Sequence, residues 1–110
     1  VAQRLQAARE AFEEVVDCMV AHTRGNPNAA FAGSVPYLML AGNLLAGWQM
    51  ARALLVAEGL IAAGQGNTFL HSKVTTARFY ADHLLSRAPG VRDAIVHGAD
   101  AVTALSPEAF

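Results

Sequence analysis

Apolar positions run almost unbroken from Pro36 to Gly64, and on either side of that stretch they alternate with polar ones at helical spacing. Within it the polar interruptions are Asn43, Gln49, Arg52 and Glu58. At about 100° per residue, with Asn43 as zero, Glu58 falls near 60°, Arg52 near 180° and Gln49 near 240°. They form no polar face, and a helix without one is normally buried in a protein core or a membrane. Small residues do align: Gly42, Ala46, Ala53, Ala57 and Gly64 fall within roughly 60° of one another. The pattern predicts a long buried central helix with a small-residue stripe that lets a neighbour approach closely.

The segment before it, Ala2 to Arg24, places Leu5, Ala8, Phe12, Val15, Val16 and Met19 on one helical face, with Gln6, Glu10, Glu13 and Asp17 opposite. Arg9 and Glu13 are placed to pair on the exposed side. Gly25 suits the C-terminal cap, and Asn26-Pro27 a restart with Asn26 as N-cap. Ala29 to Gly33 then forms a short helix capped afresh at Ser34, or Pro36 kinks one longer helix; the pattern allows either. After Gly64-Gln65-Gly66-Asn67 a third helix is predicted from Thr68 to about Arg87, with Leu70, Val74, Ala77, Ala81 and Leu84 as its seam and Arg78–Asp82 as an exposed pair. Ala88-Pro89-Gly90 is expected to break the chain before a shorter fourth helix from Val91 to Leu105. Four helices joined by short loops predict an all-α fold, an antiparallel up-down-up-down four-helix bundle.

Composition narrows this further. The 110 residues make one domain, and charged residues are scarce at 15% where about 25% is usual. Hydrophobic residues reach 54%, and the mean hydropathy is +0.29. Eight basic against nine acidic side chains give no field that would favour nucleic acid. A single cysteine, Cys18, excludes an internal disulfide and fits a reducing, cytoplasmic compartment. The charged amphipathic N-terminus has no signal-peptide apolar region. Within the central stretch the uncharged run Tyr37 to Ala51 is shorter than the roughly 18–20 residues that span a bilayer, and Arg52 sits mid-segment, so no membrane span is expected. The chain opens on Val1 without an initiator Met, which reads as a processed chain or one cut from something longer.

Candidate chemistry is sparse. Glu14, Cys18 and His22 share a face of the first helix, but a structural zinc site needs four ligands and none elsewhere completes the set. His71, His83 and His97 have no nucleophile elbow beside them. The glycines of AGQGN lack the Lys-Ser or Lys-Thr of a phosphate loop, and no paired ExxH of the di-iron type occurs. Tyr37 and Trp48 suit anchoring roles with their polar atoms hydrogen-bonded. Arg52, a charge on an apolar helix, needs a partner or a surface. Glu14, Asp17, Asp82, Asp100 or a group outside the domain could supply one.

The run PYLMLAGNLLAGWQMARALLVAEG, followed by FLHSKVTTARFYADHLLSRAPG, resembles the extra C-terminal helical domain of long acyl-CoA dehydrogenase-like flavoenzymes, the 3-methylmercaptopropionyl-CoA dehydrogenase type among them. The residues carrying it are Pro36-Tyr37-Leu38, Gly42, Gly47-Trp48, Ala51-Arg52, Phe69, Lys73, Ala77-Arg78-Phe79-Tyr80-Ala81 and His83-Leu84-Leu85, within Ala29 to Gly90. The resemblance implies a parent that oxidises an acyl-CoA to the 2-enoyl-CoA, a glutamate removing the α-proton and FAD taking the β-hydride. It places base and flavin contacts in upstream dehydrogenase domains of the same polypeptide. Residues 1–110 are then a single accessory domain at the C-terminal end, with no catalytic, cofactor or metal residue of their own.

Against this stands a self-standing helical interaction or oligomerisation module. The surplus of apolar residues predicts an apolar patch where the dehydrogenase body packs, covered in the isolated domain by a homo-oligomer, whereas an evenly polar monomer would favour the self-standing module; Tyr37, Trp48, Arg52 and Phe79 are the candidates to lie in or beside the patch.

Overall fold

The computed structural model describes every residue from Val1 to Phe110 and is all-helical, without a strand. Helix α1 spans Ala2–Gly25 and buries Ala8 and Val15 of the seam its periodicity predicts, with Ala11 buried beside them. Arg9 Nε reaches Glu13 Oε1 at 3.5 Å on its exposed side. His22 and Arg24 lie in its last turn, at the negative end of the helix dipole. Gly25 stays helical rather than taking a left-handed cap, since Gly64 alone has a positive φ. Asn26 caps nothing with its side chain; its carbonyl accepts from the Ala29 and Ala30 N–H groups instead.

Helix α2 runs unbroken from Pro27 to Leu60, and a π-turn at Ile61–Gln65 extends it. Pro36 therefore lies inside one continuous helix, and the stretch Ala29 to Gly33 is its opening turns. Packing offsets the missing N–H: Pro36 shares a small cleft with Ala94, Ile95 and Gly98 from across the fold. Gly64, at φ +80°, ends the helix as only glycine does without strain.

Helix α3, Thr68–His83, starts with Asn67 Oδ1 accepting from Leu70 N–H at 2.9 Å, so this cap forms as its sequence suggests. It stops a turn earlier than expected. The chain breaks at Leu84, passes through a 3₁₀ turn at Leu85–Arg87, and continues as α4, Ala88–Thr103. Ala88-Pro89-Gly90 is thus a helix start and not a break, because proline in the first turn forfeits no hydrogen bond the helix would make.

The chain path also differs from an up-down-up-down bundle. As α3 advances, its partners on α2 retreat: Leu70 lies by Ala57, and Tyr80 bonds Asn43. Along α4 the retreat continues, with Val91 near Met39 and Ile95 at Gly33. Helices α3 and α4 therefore run in the same sense, end to end along α2, because the break at Leu84–Arg87 does not reverse the chain. Helix α1 lies antiparallel beside the first half of α2, Phe12 stacking on Tyr37 with ring centroids 5.6 Å apart. The result is an elongated slab of 67 × 27 × 16 Å.

The core is a line of small and large residues on one side of α2. Gly33, Leu40, Gly47 and Leu54 follow at intervals of seven and are all buried. Leu40 joins Val15, Leu85 and Ile95 in the main cluster. The two glycines are holes. A Cβ on Gly47 would stand 2.5 Å from Leu85 Cδ2, and one on Gly33 3.2 Å from Ile95 Cγ2 and 3.3 Å from Met19 Sδ. The close approaches are made here and not along the expected small-residue stripe. That stripe lies about 100° away around the helix. Of its members Ala57 is buried and Ala53 half-buried, while Gly42, Ala46 and Gly64 are exposed.

Helix α2 is central but not buried all round. Its partners cover the side of Gly33, Leu40, Gly47 and Leu54 and leave Phe31, Val35, Leu38, Leu45 and Val56 exposed on the other. By length and composition, Pro27–Gln65 is apolar enough to cross a membrane. Inserting it would drag in α1, packed along it with Glu10, Glu13 and Asp17 exposed. We therefore treat α2 as the spine of the domain.

Candidate functional site

The feature that stands out is the uncovered side of α2. Phe31, Val35, Leu38, Leu45 and Val56 fall within about 80° of one another on it, and each is at least 60% exposed. Met39, Trp48 and Leu55 flank this stripe and are exposed as well. Scattered apolar side chains are normal on a surface, but a continuous row along one helix marks a contact site. Leaving it in water opposes the burial that drives folding and association, at about 25 cal/mol per Å².

Three open furrows border the stripe. The largest, about 690 Å³, lies between α1 and α2 and is lined by Ala2, Leu5, Gln6, Arg9, Leu44, Leu45 and Trp48. A second, along α3, takes in Arg52, Val56, Phe69 and Lys73. The third lies at the junction of α3 and α4, beside Gly42 and Asn43.

Of the residues singled out from the sequence, Trp48 and Arg52 sit together at the stripe. The Arg52 guanidinium lies 5.2 Å from the Trp48 ring centroid, and its Nη1 donates to Gln49 Oε1 at 3.3 Å. None of the four acids considered as its partner reaches it. Glu14 is taken by Arg92 at 3.5 Å and Asp82 by Arg4 at 3.8 Å. Arg78 correspondingly pairs with Glu58 at 3.8 Å and not with Asp82. Phe79 is exposed on α3, stacked on His83 at 4.4 Å. Tyr37 faces the other way, half-buried on Phe12 against the main cluster.

One polar cluster was not visible beforehand. Asn43 Nδ2 donates to the Leu84 carbonyl at 3.0 Å, and Tyr80 Oη donates to Asn43 Oδ1 at 2.8 Å. At the break after α3 that carbonyl already accepts from Arg87 N–H at 3.1 Å, and Asn43 supplies a second donor from across the fold. Burial holds the Tyr80 phenol above its ordinary 10.0, in keeping with a neutral donor. The available signal was a lone amide in an apolar helix, which needs a partner wherever it is covered. Elsewhere, the hydrogen bond to Asp93 first, then Asp93 and Glu14 charge, raises Arg92 above its usual range. Backbone hydrogen bonding at its own residue, then Ser106, lowers Glu108.

No catalytic grouping emerges. Cys18 Sγ lies 3.7 Å from His22 Nδ1, but Glu14 turns to Arg92, and no three potential metal ligands gather anywhere. His71, His83 and His97 are exposed, the first two on α3 and the third on α4.

Residues 1–106 match the family described as acetyl-CoA dehydrogenase C-terminal like. The chain belongs to that family. This C-terminal-like domain is also 40% identical over 106 residues to a 3-methylmercaptopropionyl-CoA dehydrogenase of Ruegeria pomeroyi. The match takes in 96% of the domain but 18% of that relative, so the chain spans about a fifth of the protein it resembles. A flavin does not fit the domain's own residues. Its furrows are open and mostly apolar, and no polar or charged side chain is buried to hold a pyrophosphate or isoalloxazine edge.

Proposed function

We propose that residues 1–110 are the accessory helical domain at the C-terminal end of an FAD-dependent acyl-CoA dehydrogenase, and that the domain works by burying its apolar side against other protein in the assembled enzyme. The parent would oxidise an acyl-CoA to the 2-enoyl-CoA, with flavin and base supplied by the upstream domains. The observation that carries this reading is the uncovered stripe of α2, in a chain that matches a C-terminal family along nearly its whole length. A domain that owned its function would cover its spine. This one leaves Phe31, Val35 and Leu38 in water, where a larger body or assembly would pack.

The isolated chain should accordingly be strongly helical by circular dichroism, colourless, and unable to oxidise an acyl-CoA. Stoichiometric FAD copurifying with it, seen as visible absorbance, would contradict the assignment of the flavin site to other domains. Full solubility with no affinity for a dehydrogenase body would favour the self-standing module instead.

A further inference from the structure

The outer stripe of α2 is complementary to itself. We infer that its occupant is a second copy of this chain, with the two α2 helices packed antiparallel about a two-fold axis at Leu45. This deepens the accessory-domain reading by naming what covers the stripe, and it makes the domain a point where two polypeptides join.

Size is the first argument. In that register Phe31 comes opposite Gly59, each fourteen positions from Leu45. Phe31 is 72% exposed, and an added Cβ on Gly59 would meet nothing within 4 Å. The largest side chain at one end of the stripe thus faces open space at the other end. Near the axis, Gly42 comes opposite Trp48 and Gln49, and a Cβ there also meets nothing. Small residues at a crossing let helices approach to the lower end of the usual 8–10 Å. The positions Phe31, Val35, Leu38, Gly42, Leu45, Gln49, Arg52 and Val56 alternate by four and three, the spacing of a helix–helix seam.

Charge is the second. Arg52 is the one charged side chain on the seam. Two copies hold their Arg52 groups fourteen residues apart along the axis, about 21 Å at 1.5 Å per residue. That exceeds the screening length of about 8 Å in physiological salt. Each Arg52 meets the partner's Leu38 with its aliphatic stem while its guanidinium stays over its own Trp48. A parallel pairing would instead set the two arginines side by side.

Area is the third. The 39 residues from Pro27 to Gln65 form a rod roughly 58 Å long. A strip about 10 Å wide along it covers about 580 Å², and Met39, Trp48 and Leu55 at its edges bring it toward the roughly 800 Å² per partner of a stable interface. The pairing buries the stripe as one continuous seam and leaves the α1, α3 and α4 side free for the upstream domains.

Sedimentation and cysteine cross-linking of the 110-residue chain, with Cys18→Ser as background, test this. The chain should sediment as a dimer at micromolar concentration. Leu45→Cys should form an intermolecular disulfide with itself under mild oxidation. Phe31→Cys mixed with Gly59→Cys should cross-link, whereas Phe31→Cys alone should not. Leu38→Glu should weaken dimerisation at least about a hundredfold with the helical spectrum retained. A monomer at tens of micromolar, or a dimer in which Leu45→Cys stays unlinked, would overturn the pairing. Either result leaves the accessory-domain reading intact, since that reading falls instead on flavin bound to the isolated chain.

Discussion

Gly47→Ala should destabilise the domain by about 1–3 kcal/mol, although alanine is the better helix former at an ordinary position. The new methyl would stand 2.5 Å from Leu85 Cδ2, and Leu85 is 1% exposed, with its neighbours packed round it. Leucine methyls yield cheaply where there is room, and in the main cluster there is none. Gly98→Ala is the control. It lies on α4 with nothing within 4 Å of an added Cβ, so the lower entropy of the unfolded chain should make it neutral or stabilising by up to about 1 kcal/mol. Shortening the obstruction with Leu85→Val in the Gly47→Ala background should recover part of the loss, a non-additivity that distant sites do not show. Denaturant midpoints read all three. Equal effects at Gly47 and Gly98 would mean that Leu85 does not seat on α2 as described.

The second large effect is expected at Asn43. Asn43→Ala removes two side-chain hydrogen bonds at once, to the Leu84 carbonyl and from the Tyr80 hydroxyl, which keep only Arg87 N–H and the residue-43 carbonyl as partners. Two lost hydrogen bonds, at about 0.5–1.5 kcal/mol each, should cost about 1–3 kcal/mol together. Tyr80→Phe deletes one bond and keeps the other, so it should cost about 1 kcal/mol. Because Asn43 closes the junction between α3 and α4, its loss should also speed amide exchange around Leu84–Arg87 more than in α1. Uniform exchange changes across the chain would show that the amide stabilises the fold generally and not this break.

These two sites also show what the sequence made legible. Positions that face the core on amphipathic helices were readable: Ala8 and Val15 on α1, Ala77 and Ala81 on α3. Periodicity reports the covered face wherever the other face is polar. On α2 that contrast is missing, so the pattern could not say which side the neighbours take. The aligned small residues point to Gly42 and Ala46, whereas the contacts fall on Gly33 and Gly47, which alternate with Leu40 and Leu54 at intervals of seven.

Chain direction was hidden for a related reason. Pro89 suits both a break and a helix start, and only the packing of Leu85 and Ile95 into two holes of the same helix keeps α3 and α4 in line. Pro36 is the mirror case, a breaker overruled by packing against α4. At the candidate surface, the lack of a polar side on α2 indicated a need for cover, and the structure shows Trp48 and Phe79 exposed with Tyr37 turned inward. What supplies the cover lies outside residues 1–110, and no local pattern encodes it.

The most direct test of the accessory-domain account is thiol labelling at Leu38→Cys in a Cys18→Ser background. One sample is the isolated chain, diluted until it is monomeric. The other is a chimaera in which this chain replaces the matched segment of the Ruegeria pomeroyi dehydrogenase. Leu38 is 69% exposed in the single chain, so the diluted sample should react at the rate of a free surface thiol. In the assembled chimaera the same thiol should be protected at least about tenfold while flavin stays bound. Equal labelling in both would leave the α2 stripe in water within the complete enzyme, and the claim that this domain exists to bury it would fail.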